Sequence, residues 1–264
     1  MSEGGRLTPF GAGVLALGFA FLYLPMLSVV IYSFNASRLV TVWGGFTLHW
    51  YAEAIGNERL IEAVVTTLIV ATASATLALV TGATAALVLG RHGRFFGRGA
   101  VVGVVYAPLV LPEVILGLAL LLLFVELDID RGMTTVILAH AVFASAWVAA
   151  LVQSRLVAFD RGIEEAAMDL GATPAQAFLT VTLPAIAPTL GIAWLLAFTL
   201  SVDDLVIAAF TSGPGATTLP LRIYGQARLG VTPEINVVST LLMAAVVLGV
   251  LAVSALNRRA ARSA

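Results

Sequence analysis

Apolar residues run along this chain in blocks far longer than a globular core helix needs, separated by shorter polar stretches. A bilayer core about 30 Å thick takes roughly 20 helical residues at about 1.5 Å rise each. Blocks of that kind cover residues 10–34, 60–89, 99–125, 133–154, 186–210 and 235–256. The pattern predicts an all-α integral membrane protein, with six transmembrane helices in one domain spanning residues 1–264. The first block outruns the roughly 7–15 apolar residues of a signal peptide and no small-residue cleavage site follows it, so it reads as a retained span. Two connections are too long to be turns. Residues 47–55 form a short amphipathic candidate helix with aromatics suited to a membrane interface. Ser212-Gly213-Pro214-Gly215 is a strong turn signal, followed by a candidate helix from Leu219 to Leu229 that Gly230 ends.

Composition removes the competing classes. The chain is 60% hydrophobic and 11% charged, where a soluble domain carries roughly 25% charged residues. Too few polar side chains remain to cover a water-facing surface, and disorder would need far fewer apolar ones. A net charge of −1 lacks the basic footprint of a nucleic-acid binder. The absence of cysteine removes disulfides, thiolate metal sites and Cys nucleophiles. His49 and His92 sit in connections without ligand spacing, and His140 in the fourth span reads as a core histidine, so no metal site is expected. All 14 basic residues are Arg. With the N-terminus inside, nine of them fall on inner segments and five on outer ones, which predicts both termini cytoplasmic.

The segment from Arg155 to Pro184 is the most informative. Asp160 is placed to cap a helix whose apolar residues Ile163, Ala166, Ala167 and Leu170 follow helical spacing. Glu164, Glu165 and Asp169 lie off that stripe. Gly171 suits the left-handed position that closes a helix. Thr173-Pro174-Ala175-Gln176 then reads as a capping box with proline at the first helical position. Two short helices at a fixed bend, offered to the cytoplasm, make a surface suited to a partner. Glu165-Ala166-Ala167, then Gly171, then Val181-Thr182-Leu183-Pro184 resembles the EAA loop of ABC importer permeases, E-A-A-x3-G-x9-I-x-L-P, with Val181 for Ile as the one departure. The resemblance implies a type I ABC importer permease-like bundle in which 155–184 is the coupling loop. It would dock on an ATP-hydrolysing subunit through Glu164, Glu165, Ala166, Ala167, Gly171, Leu183 and Pro184. The chain itself has no G-x-x-x-x-G-K-[ST] stretch and no Lys. It is therefore expected not to be an enzyme and to carry no cofactor, with ATP and Mg on a separate subunit.

Three acids lie in the interior of the predicted spans, Glu113 in the third and Asp203 and Asp204 in the fifth, while Glu62 falls at the outer edge of the second. An acid in hydrocarbon costs about 2.5–3.5 kcal/mol on insertion scales and marks a cavity or pathway more often than not. Pro108 and Pro112 flank the Glu113 stretch and free backbone carbonyls there. Two readings stand for Glu113, a cavity-lining carboxylate or a protonated one bonded within the bundle. Adjacent residues point about 100° apart on a helix, so Asp203 and Asp204 do not share a direction. No basic residue lies in a span core, which disfavours an anionic substrate. Tyr224 and Trp43 offer ring faces to a cation, whereas Trp147 and Trp194 read as packing residues.

A second resemblance covers most of 160–240. Ser201-Val202-Asp203-Asp204-Leu205-Val206, then Gly213-Pro214-Gly215-Ala216-Thr217-Thr218-Leu219-Pro220, then Arg228-Leu229-Gly230-Val231-Thr232-Pro233-Glu234-Ile235-Asn236 is similar to the second permease subunit of putrescine/spermidine ABC importers. It implies a bacterial inner-membrane heterodimer with a second permease subunit, two ATP-binding subunits and a periplasmic binding protein docking on residues 35–59 and 211–234. The substrate would be a cationic polyamine, with Glu113, Asp203, Asp204 and Tyr224 as pathway candidates in a lipid-embedded protein. Another ABC import substrate is the nearest alternative. An ion-coupled secondary transporter is further away, because it has no need of a docking loop and usually carries internal repeats.

Overall fold

The computed structural model describes residues 8–38, 42–91, 93, 95–229, 233–244 and 247. Among the described residues the regular structure is helical, with one isolated bridge between Asn35 and Phe46. The elements are α1 (Pro9–Tyr32), α2 (His49–Gly56), α3 (Glu58–Arg91), α4 (Arg98–Val110), α5 (Glu113–Glu126), α6 (Met133–Val157), α7 (Arg161–Asp169) and α8 (Pro174–Ala177). A π-helical turn over Phe178–Thr182 leads into α9 (Leu183–Asp203), followed by α10 (Val206–Thr211) and α11 (Leu219–Leu229). The last described helix, α12, covers 233–244. Helices over Phe10–Tyr32, Glu58–Arg91, Met133–Val157 and Pro174–Asp203 are long and apolar enough to cross a bilayer. Of the sixth expected span, 235–256, only the first part lies within the described residues.

The third expected span, 99–125, is not continuous. It is two helices, α4 and α5, bent by 120°. Pro112 forces Leu111 out of the helical region (φ −75°, ψ 137°), because a residue before proline clashes in the α conformation. At about 1.5 Å per residue each half is roughly 20 Å long, too short to cross alone. The fifth expected span, 186–210, is also interrupted. Asp204 is extended (φ −65°, ψ 123°) between α9 and α10, with no proline to announce the break.

Packing divides the described chain into two compact units, one reaching to Leu60 and resuming at Ile223, the other running from Ile61 to Arg222. The second unit is built around α6, which packs on α3 and α9 through Ala75, Ala78, Ala86, Ala144, Val148, Ala193 and Ala197. Lipid removes most of the hydrophobic drive between helices, so small residues that permit close backbone approach hold such an interface. The tightest point is Gly82, where an added Cβ would sit 2.5 Å from the Ser145 carbonyl oxygen. A second layer seats α5 and α10 on α6 through Leu116, Leu120, Phe124, Ala139, Phe143 and Ile207. The loop after α10 is pinned there too. The Thr135 hydroxyl donates to the Thr211 carbonyl at 2.8 Å, and the Leu219 amide donates to Thr67 Oγ1 at 2.7 Å.

In the first unit, the connection from α1 to α2 is organised by buried Asn35. Its side chain donates to the Val42 carbonyl at 2.8 Å and accepts from the Gly44 amide at 2.7 Å. Its carbonyl accepts from the Trp50 indole at 2.9 Å. Phe34 stacks between Phe46 and Tyr51, and Arg38 lies 5.9 Å from the Trp50 ring.

Candidate functional site

The loop between α6 and α9 is written by local signals. The Asp160 carboxylate accepts from the Gly162 amide at 2.9 Å and starts α7. Gly171 adopts φ 96°, and the amides of Gly171 and Ala172 donate back to the Met168 and Ala167 carbonyls. That pair of bonds closes a helix in a Schellman motif. Thr173 and Gln176 then bond reciprocally, as a capping box requires, and start α8. No residue of α7 is buried. Ile163 and Met168 are exposed, and Leu170 stands past the end of α7 as its cap, 91% exposed. Glu165 and Ala166 are also exposed, and Ala167 partly so.

Glu164 departs from the acidic face that the sequence assigned it. It turns toward the end of α3, where the Arg91 guanidinium donates to its carboxylate at 2.9 Å. Arg91 also donates to Thr182 Oγ1 at 3.2 Å and lies 5.1 Å from the Phe178 ring. One arginine thus ties the start of α7 and the π-helical turn to α3. Arg161 adds a bond to the Gly90 carbonyl at 2.6 Å, satisfying a helix terminus that would otherwise lack partners. A pocket of about 260 Å³ opens here, lined by Arg91, Leu156, Phe159, Arg161, Glu164, Glu165 and Met168. Leu183 and Pro184 begin α9 directly after the buried Thr182. Sequence reasoning missed Arg91. It was one of the nine inner arginines, which served there only to orient the chain.

The three intramembrane acids all fall at helix breaks. Glu113 is the first residue of α5, immediately after Pro112. Asp203 is the last residue of α9, and Asp204 is the break itself. Both aspartates lie within Coulombic reach of Glu113. Their surroundings differ. Glu113 and Asp203 are exposed, whereas Asp204 is only 8% exposed. Asp204 Oδ1 accepts from the Ala208 amide at 2.9 Å. His140 on α6 is buried beside it, with Nδ1 2.7 Å from Ser201 Oγ. Its Nε2 is 3.3 Å from Asp204 Oδ1, an ion-pair distance without hydrogen-bond alignment. Among the described residues no three His, Asp or Glu side chains converge as metal ligands.

Tyr224 belongs to the other compact unit. Its ring lies 4.5 Å from the Arg228 guanidinium, which also donates to its hydroxyl, so its face already has a cation of the chain's own. Trp43 packs edge-on to Tyr32. Trp194 stacks on Phe198 and donates to Thr76 at 3.2 Å.

The sequence matches the profile of the "binding-protein-dependent transport system inner membrane component" over residues 78–263. It is 53% identical over 245 residues to the putrescine transport system permease protein PotI of Escherichia coli K12, covering 90% of this chain and 87% of that one. Identity to the spermidine/putrescine transport system permease protein PotC of Escherichia coli K12 is 37% over 231 residues, covering 88% and 87%. Among solved structures, a chain of a bacterial ABC transporter that imports alginate superposes with a TM-score of 0.70 at 19% identity, covering 94% of this chain and 93% of that one. That likeness establishes the fold.

Proposed function

Because the chain belongs to the family of inner membrane components of binding-protein-dependent transport systems, we propose that it is a permease subunit of an ATP-driven polyamine importer, with putrescine as a principal substrate. The single observation that carries the substrate is 53% identity to a putrescine permease across nine-tenths of the chain. The chemistry of the breaks agrees. Two exposed carboxylates, Glu113 and Asp203, stand within electrostatic reach in spans that hold no basic residue in their cores, a setting that suits a flexible polycation.

In this reading the chain forms half of a pathway whose other half is a second permease subunit. A binding protein delivers substrate on one side, and two ATP-binding subunits drive the cycle from the other. ATP hydrolysis, with its Mg ion, belongs to those subunits, and this chain contributes no catalytic group. The exposed surface of α7, with Glu165, Ala166 and Gly171, docks on the ATP-binding subunit, and closure of that subunit pulls on the 155–184 loop. The Arg91–Glu164 pair carries the pull into α3, and α6 and α9 follow through their small-residue interface. The protein resides in a bacterial inner membrane with both termini cytoplasmic, in keeping with the arginine bias.

The test is uptake of labelled putrescine in cells with and without this chain, lacking redundant importers. Excess spermidine, a basic amino acid and a neutral sugar serve as competitors. Loss of uptake without the chain, and competition by spermidine alone, is the expected result. Unchanged uptake would overturn the substrate.

A further inference from the structure

We propose that the adjacent aspartates have different tasks: Asp204, bonded to the Ala208 amide and lying against the His140–Ser201 pair, is a positioning residue that holds the α9–α10 break, and of the two only Asp203 meets the passing cation. The inference rests on the polyamine reading for the role of Asp203 but not for that of Asp204.

The argument starts from the backbone. In a continuous helix the Ala208 amide would donate to the Asp204 carbonyl four residues earlier. Here it donates to the Asp204 side chain at 2.9 Å instead, and the regular pattern resumes one residue on, with the Ala209 amide on the Leu205 carbonyl at 3.0 Å. The carboxylate stands in for its own carbonyl, which lets the backbone leave the helical region without orphaning a buried donor.

His140, on a neighbouring helix, lies against both sides of the interruption. It contacts Ser201, in the last turn of α9, and Asp204, at the break. The side chains of His140 and Asp204 are 2% and 4% exposed. That burial encloses the Ser201–His140–Asp204 trio within the helix bundle. An acid so enclosed is not available to a polyamine. Asp203, one residue earlier, is exposed and near Glu113, and none of its side-chain atoms is taken up by the trio.

The difference is testable because a carboxamide preserves an acceptor oxygen while removing the charge. In the complete transporter, Asp204→Asn keeps the oxygen that Ala208 needs, and putrescine uptake stays within about threefold of the parent. Asp204→Ala loses it, and uptake falls roughly tenfold or more, as expected for a buried donor left without its partner. Asp203→Asn keeps the fold but raises the KM for putrescine by roughly tenfold or more, the usual scale for losing a charged contact. Co-purification with the ATP-binding subunits checks assembly for each variant. Binding-protein-stimulated ATP hydrolysis is read in parallel, and Ser201→Ala, a smaller perturbation of the trio, should weaken that stimulation.

Rescue by Asn but not Ala at position 204 supports positioning. Equal damage from both substitutions at 204 overturns it, as does parental putrescine KM for Asp203→Asn in a parent that transports putrescine. Should the parent not transport putrescine at all, the substrate reading fails. The ATPase pattern at 204 then decides the positioning role on its own.

Discussion

Between α6 and α9, geometry follows from residues close in sequence. Asp160 bonds two residues on, Gly171 supplies the left-handed turn, and Thr173 bonds with Gln176. At the α9–α10 break, the local bond from the Ala208 amide to the Asp204 carboxylate is backed by distant residues. His140 is 61 residues from Ser201, and Gly117 of α5 admits the Phe210 ring of α10 so closely that a Cβ would lie 2.7 Å from it. The first region is an exposed surface whose shape must survive without a core. The second is a buried interruption that needs neighbours to keep it from becoming an ordinary helix. In the proposed function the first region receives force from the ATP-binding subunit and the second is held open by packing.

If the break depends on packing, overfilling that packing should have the largest effect. Gly117→Leu drives a side chain into Phe210, and forced overpacking costs about 1–3 kcal/mol or more. Transport should be abolished and the yield of assembled complex reduced, measured by uptake and co-purification. Parental transport would break the contrast between the regions.

Arg91 is the point where the local region meets a distant residue. Arg91→Ala removes a charge-assisted contact worth on the order of 1.5–3 kcal/mol. The expected outcome is more ATP hydrolysed per putrescine imported, with assembly intact. Glu164→Gln retains an acceptor and should shift that ratio less.

A Cβ at Gly171 meets no neighbouring atom within 4 Å, so the main cost of Gly171→Leu is the left-handed backbone, about 1–2 kcal/mol. It should uncouple ATP hydrolysis from uptake, and Gly171→Asn, which tolerates that conformation, should do so less. The smallest effect belongs to Thr173→Ala, which loses one helix cap worth about 1 kcal/mol. Amide hydrogen exchange over 173–177 should quicken while uptake stays near parental.

The same contrast explains what the sequence disclosed. The caps at Asp160, Gly171 and Thr173 were legible because both partners lie within a few residues. So were α2 and α11, through amphipathic spacing and turn residues. The bend after Pro112 was half legible: proline announced broken backbone, but a 120° turn is set by how α4 and α5 pack on α6. The break at Asp204 carries no proline or glycine, and two neighbouring aspartates read alike until burial separates them. Glu164 looked like part of an acidic face because Arg91, 73 residues earlier in the chain, is adjacent only after folding.

The most direct test of the whole account is accumulation of labelled putrescine in vesicles containing the assembled transporter, with binding protein on one side and ATP on the other. Accumulation that requires ATP, persists when ion gradients are collapsed, and needs roughly tenfold more putrescine in Asp203→Asn is the predicted result. Accumulation that follows a proton or sodium gradient and ignores ATP would contradict it, and would describe a secondary transporter instead.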